Sequence, residues 1–141
     1  MTATFRDLGV DAALCDALDW QPDVVHSHDW HAALTPVLQQ LTTARRLPSV
    51  LTLHNVGYQG VFATTVFDEF ATPALESAIP LDAMAGGYVN FLRAGLHAAD
   101  VVTTVSPTYA TEILTPAFGM GLEDILNARG GDVVGILNGI D

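Results

Sequence analysis

At 141 residues the chain is one domain's worth of protein, and a composition half hydrophobic and only 15% charged sets it apart from disordered segments. Sixteen acidic residues against five basic ones leave a formal net charge of −11. A surface of that sign repels phosphate backbones and anionic headgroups, so nucleic acid and membrane surfaces are excluded as partners. No apolar stretch reaches the roughly twenty residues that span a bilayer. The opening segment lacks the basic start and unbroken apolar block of a secretory signal, so a cytoplasmic home is expected. A single cysteine, Cys15, excludes an intrachain disulfide and, by itself, a thiolate zinc site.

Four short β-branched runs, "DVVHSH" from Asp23, "SVLTLHN" from Ser49, "DVVTTVS" from Asp100 and "VVGILNG" from Val133, read as strands buried on both faces. Between the first two, "HAALTPVLQQLTTARR" places Leu34, Val37, Leu38 and Leu41 at helical spacing, which makes a βαβ unit. Segment 57–80, with prolines and scattered aromatics, reads as an irregular excursion with short helical turns. From Leu81 the pattern is helical through "DAMAGGYVNFLRAGLHAAD", with Tyr88, Phe91, Leu92 and Leu96 on one face. Gly86 and Gly87 weaken its start by about 1 kcal/mol each, so the firm helix is expected from near Tyr88. In "SPTYATEIL", Ser106 is an N-cap and Pro107 the first helical residue. A short helix in "GMGLEDILNARGG" is closed by glycine before the last strand. Strands separated by helices predict an α/β fold, an open parallel sheet with helices on both faces and ligands outside the carboxyl ends of the strands.

Polar residues stand at those ends: His28 and Asp29, His54 and Asn55, Ser106, and Asn138 and Asp141. Ser106 reads first as a helix cap. His54 and Asn55 are followed by "NVGYQG", which offers no helix to cap and instead has glycines that let a ligand approach the backbone. A metal reading competes for "HSHDWH", which nearly reproduces the His-x-His-x-Asp-His run of binuclear zinc hydrolases. Here the aspartate falls one residue early, and only His54 and His97 remain as further histidines, so no metal is expected. No glycine-rich phosphate loop follows a strand, and neither Ser27 nor Ser106 sits in a nucleophile elbow. The neutral hydrogen-bonding side chains around this rim suit a hydroxyl-rich ligand.

Four blocks in order, "PDVVHSHDWHAAL", "LTLHNVGYQGVF", "NFLRAGLHAADVVTTVSPTYATEI" and "GMGLEDILNARGGDVVGILNGID", resemble the bacterial glycogen synthase and plastidial starch synthase family. The resemblance covers most of the chain from Pro22 onward, and is loose from Thr65 to Ala85. It implies a retaining glucosyltransferase of GT-B architecture, in which two Rossmann-like domains face each other across a cleft. Such enzymes move glucose from ADP-glucose to the non-reducing end of an α-1,4-glucan without a metal ion or other cofactor. The chain then corresponds to the later part of the N-terminal, acceptor-side domain, a partial Rossmann-like parallel sheet with flanking helices. His54 matches the family's active-site histidine, which holds the donor glucose, and Asp29 matches its cleft aspartate, which helps orient the sugars. Asn55, Tyr58, Gln59 and Asn138 fall in motifs lining the same cleft and are carried over as substrate-binding residues.

The family's Lys-Thr-Gly-Gly-Leu-type motif has no counterpart before Pro22, and the sequence stops at "NGID", where the family continues into its nucleotide-sugar domain. The expectation is therefore a single partial domain over residues 1–141, inactive alone, that belongs to a glucan synthase. A non-catalytic carbohydrate-binding remnant is the alternative from another class. A zinc-dependent hydrolase built on "HSHDWH" is the third.

Overall fold

The computed structural model describes Asp19 and residues 21–41 and 46–139. The β-branched runs form a four-stranded parallel sheet from β1 (Val25–His28), β2 (Ser49–Leu53), β6 (Val101–Thr104) and β7 (Val133–Gly135), in the order β1-β2-β6-β7. The register pairs His28 with Thr52 and Thr52 with Thr103, so both strand ends beside β2 finish at the same level. Alternation sends Leu51, Leu53 and Val102 to one face, where they are fully buried with Leu92, Leu96, Ile113, Leu122 and Leu126 from the helical segments. The opposite face carries His26, Thr52 and Thr103, joined in a row: His26 Nε2 lies 2.6 Å from Thr52 Oγ1, which lies 2.6 Å from Thr103 Oγ1.

The first crossover begins earlier than its pattern suggested and is broken. Helix α1 (Asp29–Ala32) and helix α2 (Leu34–Gln40) meet at Ala33. Pro36 has no N–H, and its ring clashes with the carbonyl four residues back, at Ala32, where the first segment ends. Residues 42–45 lie outside the described residues, as do Cys15 and Asp141.

Segment 57–80 is more ordered than an irregular excursion. It contains β3 (Val61–Ala63), α3 (Thr64–Phe67) and α4 (Pro73–Ala78), whose Thr72 cap accepts from the Leu75 N–H at 3.2 Å. The larger correction is at 81–90. A 3₁₀ turn (Leu81–Ala83) leads into a hairpin, β4 (Met84–Ala85) and β5 (Tyr88–Asn90), which forms with β3 a second, antiparallel sheet. Gly86 and Gly87 have φ of 61° and 82° and make the turn between the two strands. Two successive residues with positive φ cannot continue an α-helix, and they are what a tight hairpin needs. Helix α5 (Phe91–Ala98) therefore starts later than Tyr88, with Asn90 as its cap: the Asn90 Oδ1 accepts from the Arg93 N–H at 2.9 Å. Val37, Phe67, Leu75, Val89 and Ala94 form a second apolar cluster that seats this small sheet on α2 and α5.

Helix α6 (Pro107–Glu112) starts as expected, with Ser106 Oγ accepting from the Tyr109 N–H at 2.9 Å, and α7 (Glu123–Ala128) ends before Gly130 at φ 63°. Two polar clamps fix the scaffold away from the strand ends. At the amino ends of β2 and β6, Asp100 accepts from the Ser49 N–H (2.7 Å), the Ser49 hydroxyl (2.8 Å) and Arg46 (2.6 Å). Desolvation pushes the Asp100 carboxyl up, but the Ser49 hydrogen bonds and the Arg46 charge outweigh it and hold it below its ordinary value. Beside α5, Arg93 pairs with Asp82 at 2.8 Å and with Asp124, and donates to the Gly121 carbonyl at 3.0 Å.

Where α5 crosses the α1–α2 junction the backbones touch. A Cβ on Gly95 would stand 2.5 Å from the Ala33 carbonyl oxygen and 2.8 Å from the Ala33 Cβ. Gly95→Ala gains about 1 kcal/mol of helix propensity but forces the two helices apart, at about 1–3 kcal/mol. The expected result is a net loss of stability, read as a lower denaturation midpoint. An unchanged or raised midpoint would show that this contact yields freely.

Candidate functional site at the strand ends

Asp29 leaves β1 in the left-handed region, φ 51°, a conformation few residues other than glycine adopt, though aspartate tolerates it better than most. The turn brings its carboxylate back toward β2, where Asp29 Oδ1 accepts from the His54 backbone N–H at 2.8 Å. His54, just beyond β2, presents its ring to the end of β1, and His28 Nδ1 lies 3.0 Å from His54 Nε2. The His26 ring stands 4.3 Å, centroid to centroid, from that of His28. His26, His28, Thr52, His54 and Asn138 all line one cavity of about 430 Å³, floored by the sheet face that carries Thr52 and Thr103.

The loop after His54 is held by its own polar groups. Asn55 Oδ1 accepts from the Gly57 N–H at 2.9 Å, and the Val56 N–H donates to the Tyr109 hydroxyl at 3.0 Å. Gln59 Nε2 donates to the carbonyls of Val56 (3.1 Å) and Met120 (2.8 Å), while its Oε1 accepts from Asn90 Nδ2 at 2.6 Å. Gly60, at φ 61°, lies so close to Trp30 that a Cβ would sit 2.5 Å from the indole, which itself stacks on His31 at 4.0 Å. Position 60 therefore requires glycine twice over, by conformation and by space.

Of the residues singled out in the sequence, Asp29 and His54 are in direct contact, and Asn138 shares the cavity with His54. Asn55 spends its side-chain oxygen on the loop, and Tyr58 projects into solvent with 68% of its surface exposed. The Gln59 amide is committed to protein partners at both ends, so it ties the loop to 120 and to β5. Sequence reading passed over Thr52, Asn90 and Tyr109, which are isolated polar residues in apolar or helical patterns and show their roles only through contacts across the fold. Among the described residues, no group of three or more His, Cys, Asp or Glu side chains is arranged to hold a metal ion. Nor is any helix among them long and apolar enough to cross a membrane.

Burial, followed by the neighbouring His28 and His54, lowers the pKa of His26 from its ordinary 6.5. A base with a depressed folded pKa binds fewer protons than its unfolded counterpart, so its contribution to stability is complete above 6.5 and is lost as the pH falls from there through the folded value. Denaturation curves across that window should show stability dropping with acid. His26→Gln, which keeps a polar atom near Nε2 but does not titrate, should flatten this part of the profile. At position 29, Asn preserves both an oxygen acceptor and tolerance of positive φ. Asp29→Ala, which has neither, should cost about 1–3 kcal/mol, and Asp29→Asn clearly less, by chemical denaturation.

A family model described as the starch synthase catalytic domain matches residues 3–128. The glycogen synthase 1 of Rhizobium meliloti is 50% identical over 123 residues, which is 87% of this chain and 25% of that protein. A glycogen synthase of Roseobacter denitrificans is 49% identical over 136 residues, 95% of this chain and 28% of that protein. Among solved structures, the catalytic domain of starch synthase IV from Arabidopsis thaliana, bound to ADP and acarbose, superposes with a TM-score of 0.77 at 32% identity. That match covers 100% of this chain and 31% of the other. The chain thus spans about a quarter of the length of these curated relatives. With a match over most of its length, nearly half its residues shared with glycogen synthases, and a helix-flanked parallel sheet that superposes on a GT-B catalytic domain, the chain belongs to the starch synthase catalytic domain family.

Proposed function

We propose that this chain supplies part of the acceptor-side, N-terminal domain of a retaining glucosyltransferase. The complete enzyme would transfer glucose from ADP-glucose to the non-reducing end of an α-1,4-glucan, as in glycogen or starch synthesis. The observation that carries the reading is the contact between the Asp29 carboxylate and the backbone N–H of His54, a residue that lines the cavity. It joins the two residues that match the family's active-site positions, although they are twenty-five positions apart. The starch synthase IV relative bound to ADP and acarbose lends support, since a nucleotide and an oligosaccharide-like ligand are what such a cleft would hold.

Retaining transfer without a covalent protein nucleophile depends on positioning and on stabilising a departing phosphate and an oxocarbenium-like sugar. In this reading His54 holds the donor glucose through a hydroxyl. Asp29 fixes the His54 backbone and thereby the place of its ring, in addition to orienting the sugars. Asn138 faces the same cavity, and Tyr58 is free to meet a sugar ring. Asn55 and Gln59 shape the loop from which a ligand is reached, so their contribution to binding comes mainly through that loop. The five basic residues leave few cations for a diphosphate, and in this proposal those come from a second, nucleotide-sugar domain.

Incubation of the 141-residue polypeptide with ADP-glucose and glycogen should give no glucosyl incorporation above background, and supplying the missing first part of the N-terminal domain together with the nucleotide-sugar domain of a close relative should restore it. In that reconstituted or in a complete enzyme, His54→Ala should lower turnover by about 10²-fold or more. Wild-type turnover in that variant would remove His54 from the mechanism. Maltooligosaccharide binding without any restored activity would favour the carbohydrate-binding alternative.

A further inference from the structure

The 3.0 Å contact between His28 Nδ1 and His54 Nε2 imposes a condition that neither residue meets alone. A hydrogen bond between two neutral imidazoles needs one N–H and one bare nitrogen facing each other, so the tautomer of one ring fixes that of the other. If His28 Nδ1 were the donor, both rings would carry their proton on Nδ1. If His54 Nε2 is the donor, both carry it on Nε2, the form a free neutral imidazole prefers in water. The second arrangement costs neither ring its preferred tautomer.

The surroundings hold the two rings in register. His26, its ring tilted against that of His28 at 4.3 Å between centroids, is itself tied through Nε2 to Thr52. Asp29 fixes the His54 backbone, and the pairing of His28 with Thr52 fixes the end of β1, so the two rings meet without either strand end being free to shift.

We propose that His28 is a positioning residue for His54: its Nδ1 accepts the His54 Nε2–H, leaving His54 Nδ1 as a bare acceptor for a ligand hydroxyl. His54 then accepts a hydrogen bond from a sugar hydroxyl, whose proton stays on its oxygen, and donates none at Nδ1. The last step rests on the function proposed above; the tautomer does not.

The 141-residue chain labelled with ¹⁵N, observed by long-range proton–nitrogen correlation above the ordinary histidine pKa, reads the tautomer directly. His54 should show a protonated Nε2 and a bare Nδ1. His28→Ala should move its ring nitrogens toward the averaged shifts of an unpartnered imidazole, while His28→Asn, whose side-chain oxygen can take the place of Nδ1, should largely restore them. A His54 protonated on Nδ1 in the unaltered chain overturns the assignment, as do unchanged His54 shifts in a folded His28→Ala. Should His28→Ala fail to fold, the unaltered chain and His28→Asn still decide. A complete enzyme carrying His28→Ala should lose about 2- to 10-fold in kcat/KM, recovered in part by asparagine. The expected tautomer together with full activity in His54→Ala would leave the ring pairing standing and sink the functional reading instead.

Discussion

The arrangement depends on one hydrogen bond, from the backbone N–H of His54 to the carboxylate of Asp29. Parallel pairing brings the ends of β1 and β2 to the same level, but it does not determine how the chain leaves them. Asp29 departs in the left-handed region and His54 departs into a glycine-containing loop. Each exit carries a cost or a freedom that local sequence would not resolve. The carboxylate closes one on the other, and the placement of the His28 and His54 rings and of the loop after them follows from that closure.

A second layer holds the loop from outside. Gln59 reaches the residue 120 backbone and receives Asn90, which in turn caps α5, while Tyr109 from α6 receives the Val56 N–H. Three elements remote in sequence thus converge on one loop through neutral hydrogen bonds that depend little on ionic strength. A neutral, preorganised support is consistent with the sugar-binding role proposed above, since hydroxyls are matched by geometry more than by charge.

The four parallel strands were legible because each is a β-branched run between helical segments, and the start of α6 because Ser106 and Pro107 mark it locally. The hairpin over 84–90 was not. Its apolar residues happen to fall at helical spacing, and Gly86–Gly87 was read as a weak point in a helix when it was the turn itself. At the candidate site, the meeting of His54 and Asp29 was legible from their strand-end positions in a parallel sheet. What could not be found was that Gln59 is occupied by protein partners, since nothing near it in sequence names Asn90 or residue 120 as the groups it would meet. Side chains whose partners lie thirty or sixty positions away leave no periodic trace.

The Asp100–Ser49–Arg46 clamp lies at the foot of β2 and β6, a strand's length from His54. The clamp and the Asp29–His54 contact therefore occupy opposite ends of the same strands. Substitutions among the loop residues at the upper end can retune which ligand is accommodated while the lower end keeps the strands in step, so this architecture can diversify in specificity without first sacrificing its foldedness.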